Sequence, residues 1–468
     1  MKSFRAALLA ALCAAILASP LAAFAQKAQT GIAPEVLKDL ERSFRLDARN
    51  RSLMNALTAN DAKSLALNRE LLQRQDEIFN YKVDAKGITN QKSSGRCWLF
   101  AGLNIMRPSV IKKFNLTAFQ FSESYLFFWD KLEKANLFLD AAIELRDRPL
   151  DDRELQVLVK DPIPDGGWWS YVTALIDKYG AVPKDAMPET QSSGSTGQMN
   201  AFLARLLRRD AIELREMAAK GAKLPALRVR RDEMLRDVYR LLVLHLGVPP
   251  AEFVWRYEDK DDKIVEATHT PHSFYRDVVG VDLADYVSLF DHAAYPYMKY
   301  YRIKYCRNMT GIPDMDFVNV DAKAFKDYAL AMLLAGEPVW FAADVGAENY
   351  SKGGLMQPGI YDYEALFGVS WDISKADKIR TFESSPNHAM VFVGVDTIGA
   401  KARKWRVENS WGTDAGKSGY WVMHDEWFDR YVYGVIVQRK YVPESVLAIL
   451  STKPEILPAW DPMRELFK

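Results

Sequence analysis

Gln91-Lys-Ser-Ser-Gly-Arg-Cys-Trp-Leu-Phe100 is the stretch on which both fold and chemistry turn. A cysteine stands directly before a tryptophan and six positions after a glutamine, behind a Ser-Ser-Gly-Arg turn. The turn at Gly95, followed by the apolar run Trp98-Leu99-Phe100, predicts a helix from about Cys97 to Lys112. A helix N-terminus stabilises negative charge and lowers a thiol pKa, so Cys97 stands where a thiolate nucleophile would be made. The Gln91 side-chain amide, just upstream, can donate a hydrogen bond to an oxyanion developing on an attacked carbonyl.

A cysteine nucleophile needs an imidazole as proton carrier. Six histidines are present. His388 is the one placed for the task, at the start of the strand pattern Ala-Met-Val-Phe-Val-Gly-Val-Asp and after the turn signal Ser384-Ser-Pro-Asn387. Taken alone it reads as a hydrogen-bonded strand-end histidine. Asn409 follows in Val-Glu-Asn-Ser-Trp-Gly, at the end of the next apparent strand. Its side-chain carbonyl can accept the imidazole N–H and fix the tautomer. Trp98 and Trp411 are expected to shield the site from water. Together these residues read as a cysteine-type acyl-transfer centre, with no metal or cofactor called for.

The remaining chain narrows the classes. The 468 residues carry a net charge of +1, with 49% hydrophobic and 26% charged residues. No strong field steers the protein to nucleic acid. Lys2 and Arg5 precede an apolar run ending Ala23-Phe24-Ala25. This is a signal-peptide pattern with cleavage expected after Ala25, leaving no membrane anchor and an exported, periplasmic or extracellular bacterial protein. Cys13 leaves with it, so a disulfide framework is excluded for the mature chain. Gly412-Thr-Asp-Ala-Gly-Lys-Ser418 resembles a phosphate loop but is one residue short between its glycines. His269 and His272 lack further metal ligands nearby, and Cys306 reads as a buried structural thiol.

Helical periodicity dominates the first half and short strands the second, which favours an α+β fold. The expected divisions are a signal peptide over 1–25, a helical arm over 26–75 and a helical lobe with the nucleophile over 76–130. Helical and hairpin insertions follow over 131–335, then a β lobe with His388 and Asn409 over 336–445 and a tail over 446–468.

The segments QKSSGRCW, NHAMVFVGV and WRVENSWGTDAGKSGYWVMHDEWF resemble the three active-site segments of papain-like cysteine peptidases. With DGGWWSYVTALIDKYG, PVWFAADVG and LPAWDPM, the resemblance narrows to the bleomycin hydrolase and aminopeptidase C family. It implies a papain-like two-lobed core with large helical insertions. Such insertions account for His388 lying much farther from Cys97 than the ~130–150 residues of simple papain-like enzymes. It further implies peptide substrates, a homohexameric barrel and an aminopeptidase whose C-terminal tail lies in its own cleft. The residues carried over are Cys97 as nucleophile, His388 as proton carrier, Asn409 as its orienter and Gln91 at the oxyanion. Leu466, Phe467 and Lys468 fall at the end of the substrate-limiting tail. Here the tail ends Arg464-Glu-Leu-Phe-Lys468, where the family commonly has small residues, and Lys468 is a candidate for self-trimming. The alternatives are an endopeptidase or broader peptide hydrolase, if the tail leaves the cleft, and a non-catalytic peptide-binding barrel. Mass analysis of the exported protein is expected to place its first residue at Gln26; a start at Met1 would overturn the export reading.

Overall fold

The computed structural model describes residues 31–464. The signal peptide expected over 1–25 and the tail residues Leu466, Phe467 and Lys468 lie outside the described residues. The chain divides after Ala66 into two units. In the first, Pro34–Ser43 and Ala48–Ala59 are helices. Pro34 opens one, and the Asp47 carboxylate opens the other by accepting the Asn50 N–H. The arm expected over 26–75 therefore ends early. Leu67, Leu71 and Leu72 pack with Phe79, Leu355, Ile360 and Val422 and belong to the second unit.

The second unit is built on one twelve-stranded sheet. Its order runs Glu455–Leu457, Lys299–Ile303, Asp316–Asn319, Tyr286–Phe290, Val432–Gln438, Val339–Ala343, His388–Ile398, Lys401–Glu408, Tyr420–His424, Leu355–Met356, Asn349–Tyr350. Tyr81–Lys82 adds to the His388–Ile398 strand. The hairpin Phe253–Glu258 and Ile264–His269 forms its own two-stranded sheet. Period-two alternation sorts the central strands between two cores. Trp340, Ala342, Ala389, Val391 and Val393 face a core shared with the nucleophile helix. Val339, Phe341, Ala343, Met390 and Phe392 face a second core closed by Ala322–Leu334 and Asp425–Tyr431. Both faces are covered, so these strands read as continuous apolar runs.

Several expected boundaries move. The division at 130 falls inside one helix, Glu123–Glu144. Tyr286–Phe290, Lys299–Ile303 and Asp316–Asn319 are not insertions but members of the main sheet, joined where Tyr286–Phe290 pairs with Val432–Gln438. Within the expected tail, Glu455–Leu457 is a sheet strand, parallel to Lys299–Ile303. The helix expected to run from Cys97 to Lys112 breaks into Cys97–Asn104 and Arg107–Lys113. Pro108 is the cause: it has no N–H to donate and is tolerated only in a first turn. The strand Tyr420–His424 stops where Asp425 and Glu426 open a helix.

The Cys97–Asn104 helix is buried at all eight positions. A helix this short does not form by itself, so tertiary contact holds it in place. It lies against the His388–Ile398 strand on one side and the Trp169–Tyr179 helix on another. Its approach to the latter depends on Gly102, where a Cβ would meet Val172 Cγ2 at 2.7 Å. Gly102→Ala is expected to cost about 1–3 kcal/mol by overpacking. Adding Val172→Ala should recover part of that loss in denaturant unfolding; a double variant as unstable as the sum of the singles would contradict the contact.

Candidate active site

The turn before the helix is fixed from three directions. Gln91 N–H donates to Ser410 C=O at 2.8 Å and Gly412 N–H to Thr89 C=O at 3.0 Å, which clasps the turn to the loop after Lys401–Glu408. Ser93 N–H donates to Gly194 C=O at 3.0 Å. Arg96, fully buried, forks onto Glu189 with bonds of 3.0 and 2.7 Å and sends its Nε–H to Ser94 Oγ at 3.0 Å. Its guanidinium lies over Phe100 and Phe127. Such a bidentate fork sets geometry as well as charge.

The fourth support comes from below and was not singled out in the sequence. Asp165 accepts the Gly95 N–H at 3.0 Å through its carboxylate and the Trp98 indole N–H at 2.8 Å through its backbone carbonyl. One residue thus grips the chain on both sides of Cys97. Asp165 is itself held by Lys131 at 2.6 Å, Thr196 Oγ1 at 2.5 Å and Asn200 Nδ2 at 2.7 Å. Lys131 also donates to Ile163 C=O, while Lys134, one turn on, donates to Pro164 and Gly166 C=O. Lys134 is balanced by Asp130 at 2.7 Å. Two buried ammonium groups therefore hold the Ile163–Gly166 loop beneath the nucleophile. Burial opposes the charge on Asp165, but Lys131 and the hydrogen bonds outweigh it and hold the carboxyl well below the usual carboxylate range. The signal in the sequence was the Asp165-Gly166-Gly167 break. Gly167 is required there, since a Cβ would meet the Trp98 ring at 2.6 Å.

His388 opens its strand, as the sequence suggested, and its Nε2 lies 2.8 Å from Asn409 Oδ1. Asn409 Oδ1 also accepts the Ser410 N–H at 2.8 Å, which fixes the carboxamide orientation. With the Asn409 carbonyl as acceptor, Nε2 carries the proton and Nδ1 is the basic atom. The Ala389 N–H, next in the chain, favours the Cys97 thiolate, and the Cys97–Asn104 helix packs against the strand that His388 opens. Trp411 lies over the imidazole with ring centres 4.7 Å apart, backed edge-on by Trp421 at 5.4 Å. Trp98 does not share this shielding place. It lies under the nucleophile, edge-on to Tyr171, and braces the helix instead.

Burial opposes charge on either partner taken singly: it pushes Cys97 up to about 12 and His388 down to about 4. Passing the proton from sulfur to ring keeps the site neutral as a whole. The N–H groups of Cys97, Trp98 and Ala389 favour the thiolate, and the Asn409 carbonyl favours the imidazolium. Gln91 completes the group. Its carbonyl accepts the Ser410 hydroxyl at 2.6 Å and its amide donates one hydrogen to Ser94 C=O at 2.6 Å, leaving the other N–H for a ligand.

The tail can be followed to Arg464. Asp461 pairs with His292 at 3.2 Å, and Arg153 lies 3.9 Å over the Trp460 ring. The Arg464 carbonyl accepts from the Trp168 indole at 3.0 Å and from Cys306 Sγ at 3.4 Å. Cys306 is thus a buried thiol touching the tail and Tyr171. The loop from Gly412 leads into the strand Tyr420–His424 rather than a helix, which removes the basis of the phosphate-loop likeness.

Residues 31–464 match the model of the Peptidase C1-like family. The chain is 40% identical over 450 residues to bleomycin hydrolase of Homo sapiens, covering 93% of this chain and 99% of that protein. It is 36% identical over 441 residues to aminopeptidase C of Streptococcus thermophilus, with the same two coverages, 93% and 99%. The crystal structure of PepW from Lactobacillus rhamnosis is similar at a TM-score of 0.90 and 37% identity, covering 93% of this chain and 99% of that one.

Asp165→Asn is expected to cost roughly 3–5 kcal/mol, because Lys131 is left charged and unpaired. A folded-state pKa below the unfolded value of about 3.9 gives stability that is present above that pH and lost as pH falls through the folded pKa. The acid limb of unfolding should therefore be shallower in Asp165→Asn than in wild type. Equal limbs would remove the charge from the account.

Proposed function

The chain belongs to the Peptidase C1-like family, and from that membership we propose a papain-like cysteine aminopeptidase that takes residues from the free N-terminus of peptides. The observation that carries the reading is the junction at the strand start: His388, bonded to Asn409 at 2.8 Å, opens the strand against which the Cys97–Asn104 helix packs.

The steps follow from these positions. Cys97 yields its proton to His388 Nδ1, and the thiolate attacks the carbonyl carbon of the first peptide bond. The oxyanion receives the Cys97 backbone N–H, free at the helix start, and the unoccupied Gln91 amide N–H. The imidazolium, oriented by Asn409, protonates the leaving amine as the C–N bond breaks. A thioester remains on Cys97. Water then gives a proton to His388 and its oxygen to the thioester carbon; the tetrahedral adduct expels the thiolate and releases the amino acid. Trp411 keeps water from the His388–Asn409 bond throughout.

Limitation to the N-terminus falls to the C-terminal tail. Anchoring of Arg464 by Trp168 supports this, because Trp168 follows the Gly167 that packs on Trp98, the neighbour of Cys97. Glu465, Leu466, Phe467 and Lys468 follow Arg464 in the sequence. A carboxylate reaching the cleft would receive the α-ammonium of a substrate in a charge-assisted hydrogen bond. Export, read from the N-terminal pattern, belongs to the same proposal.

Aminoacyl-fluorophores and free peptides should be hydrolysed by wild type and not by Cys97→Ala. Gln91→Ala should lower kcat by about 10²–10³-fold, the typical loss for one oxyanion donor. A chain ending at Arg464 should gain action on N-acetylated peptides. Unchanged discrimination against acetylated peptides would overturn the tail's role, and equal activity in Cys97→Ala would overturn the reading itself.

A further inference from the structure

We propose that the hollow beside His388 selects peptides with a cationic side chain on the residue that follows the scissile bond. The inference rests on the peptidase reading above and names a substrate class for it. A cavity of about 370 Å³ opens at His388 and Trp411 and is bounded by Asp344, Phe382, Glu383 and Asn387. A second hollow, of about 530 Å³, lies on the other side of Gln91, against Gly95, Asp165 and Gly166. His388 hands its proton to the leaving amine, so the residue bearing that amine lies on the imidazole side, in the first hollow. The acyl part stays with the turn that carries Cys97.

The leaving-side hollow is negative and aromatic, with no lysine or arginine in its wall. Asp344 is buried, and its carboxylate accepts from Ser384 Oγ at 2.7 Å, Asn387 Nδ2 at 2.7 Å and Gly346 N–H at 3.2 Å. All three donors are neutral, so its charge has no cation set against it there. Glu383 is exposed, and its side chain makes no hydrogen bond or ion pair among the described residues. A lysine or arginine side chain entering here would meet two carboxylates and the faces of Trp411 and Phe382, both of which attract cations.

Phe382 gives a second reason to regard this wall as a binding surface. Its φ is +61°, in the left-handed region that side chains disfavour, and it is 58% exposed. The conformation is imposed at the end of Lys375–Arg380, where Phe382 N–H donates to Ile379 C=O and Glu383 N–H to Lys378 C=O. The strained turn keeps the Phe382 ring outside the two cores that flank the histidine strand. It brings the ring and the Glu383 carboxylate to the same rim, as ligand-contacting residues are commonly held.

The test uses free peptides of the form Ala-X-Ala-Ala, with X lysine, leucine or glutamate, and wild-type full-length protein. Products are identified by mass spectrometry, so the position of the cut and the residue after it are both read. The expected order of kcat/KM for cleavage before X is lysine, then leucine, then glutamate. Lysine should lead glutamate by about tenfold or more at low salt, with the gap narrowing as salt screens the charges. Glu383→Lys should abolish or invert that ratio, the change falling mainly in KM, while thiol titration of Cys97 confirms a folded site. Equal rates for the three peptides, or a ratio untouched by Glu383→Lys, would overturn the proposal. Cuts at internal bonds only would instead count against the aminopeptidase reading, and acetyl-Ala-Ala-X-Ala, cut before X, would then have to give the same charge order or overturn the proposal.

Discussion

The site exists only because two loops far apart in sequence share backbone hydrogen bonds. Gln91 reaches Ser410 and Gly412 reaches Thr89, and the Ser410 hydroxyl turns the Gln91 carboxamide in the same place. This clasp sets the helical layer against the sheet at one fixed offset. The thiol comes from one layer, and the imidazole and its orienting carboxamide from the other. A slip of the clasp by a single residue would leave each group intact and the constellation lost, since catalytic geometry tolerates displacements well below 1 Å.

Much of the chemistry was legible because each member has a local signature. Cys97 sits at a glycine turn before an apolar run, His388 behind a Ser-Ser-Pro-Asn turn and Asn409 at the end of a strand. What stayed hidden depends on distance rather than on neighbours. Nothing around Asp165 in sequence tells that its carboxylate grips Gly95 and its carbonyl Trp98. Lys131 and Lys134 read as ordinary charges on a long helix, yet both are buried and hold one loop from beneath. The strands between 286 and 319 were absorbed into an insertion because pairing partners as distant as Val432–Gln438 leave no local trace.

Buried charge is arranged here so that it cancels over short distances. Arg96 with Glu189, Lys131 with Asp165, Lys134 with Asp130 and Arg107 with Glu408 are all close pairs in or near the core. Each cost of desolvation is offset by a partner and by backbone carbonyls. The cleft can then respond to charge created during reaction rather than to a standing field. The hollow beyond His388 departs from this rule, with two carboxylates and no cation in its wall.

The strand that carries His388 is covered on both faces and paired along both edges, with Val339–Ala343 on one side and Lys401–Glu408 on the other. Segments with that much cover open only when the whole unit does, so their amide hydrogens exchange last. The proton carrier is thereby mounted on the slowest-breathing element of the protein. A peptide entering the cleft therefore meets an imidazole that serves as a stationary reference, fixed by the strands on either side of it.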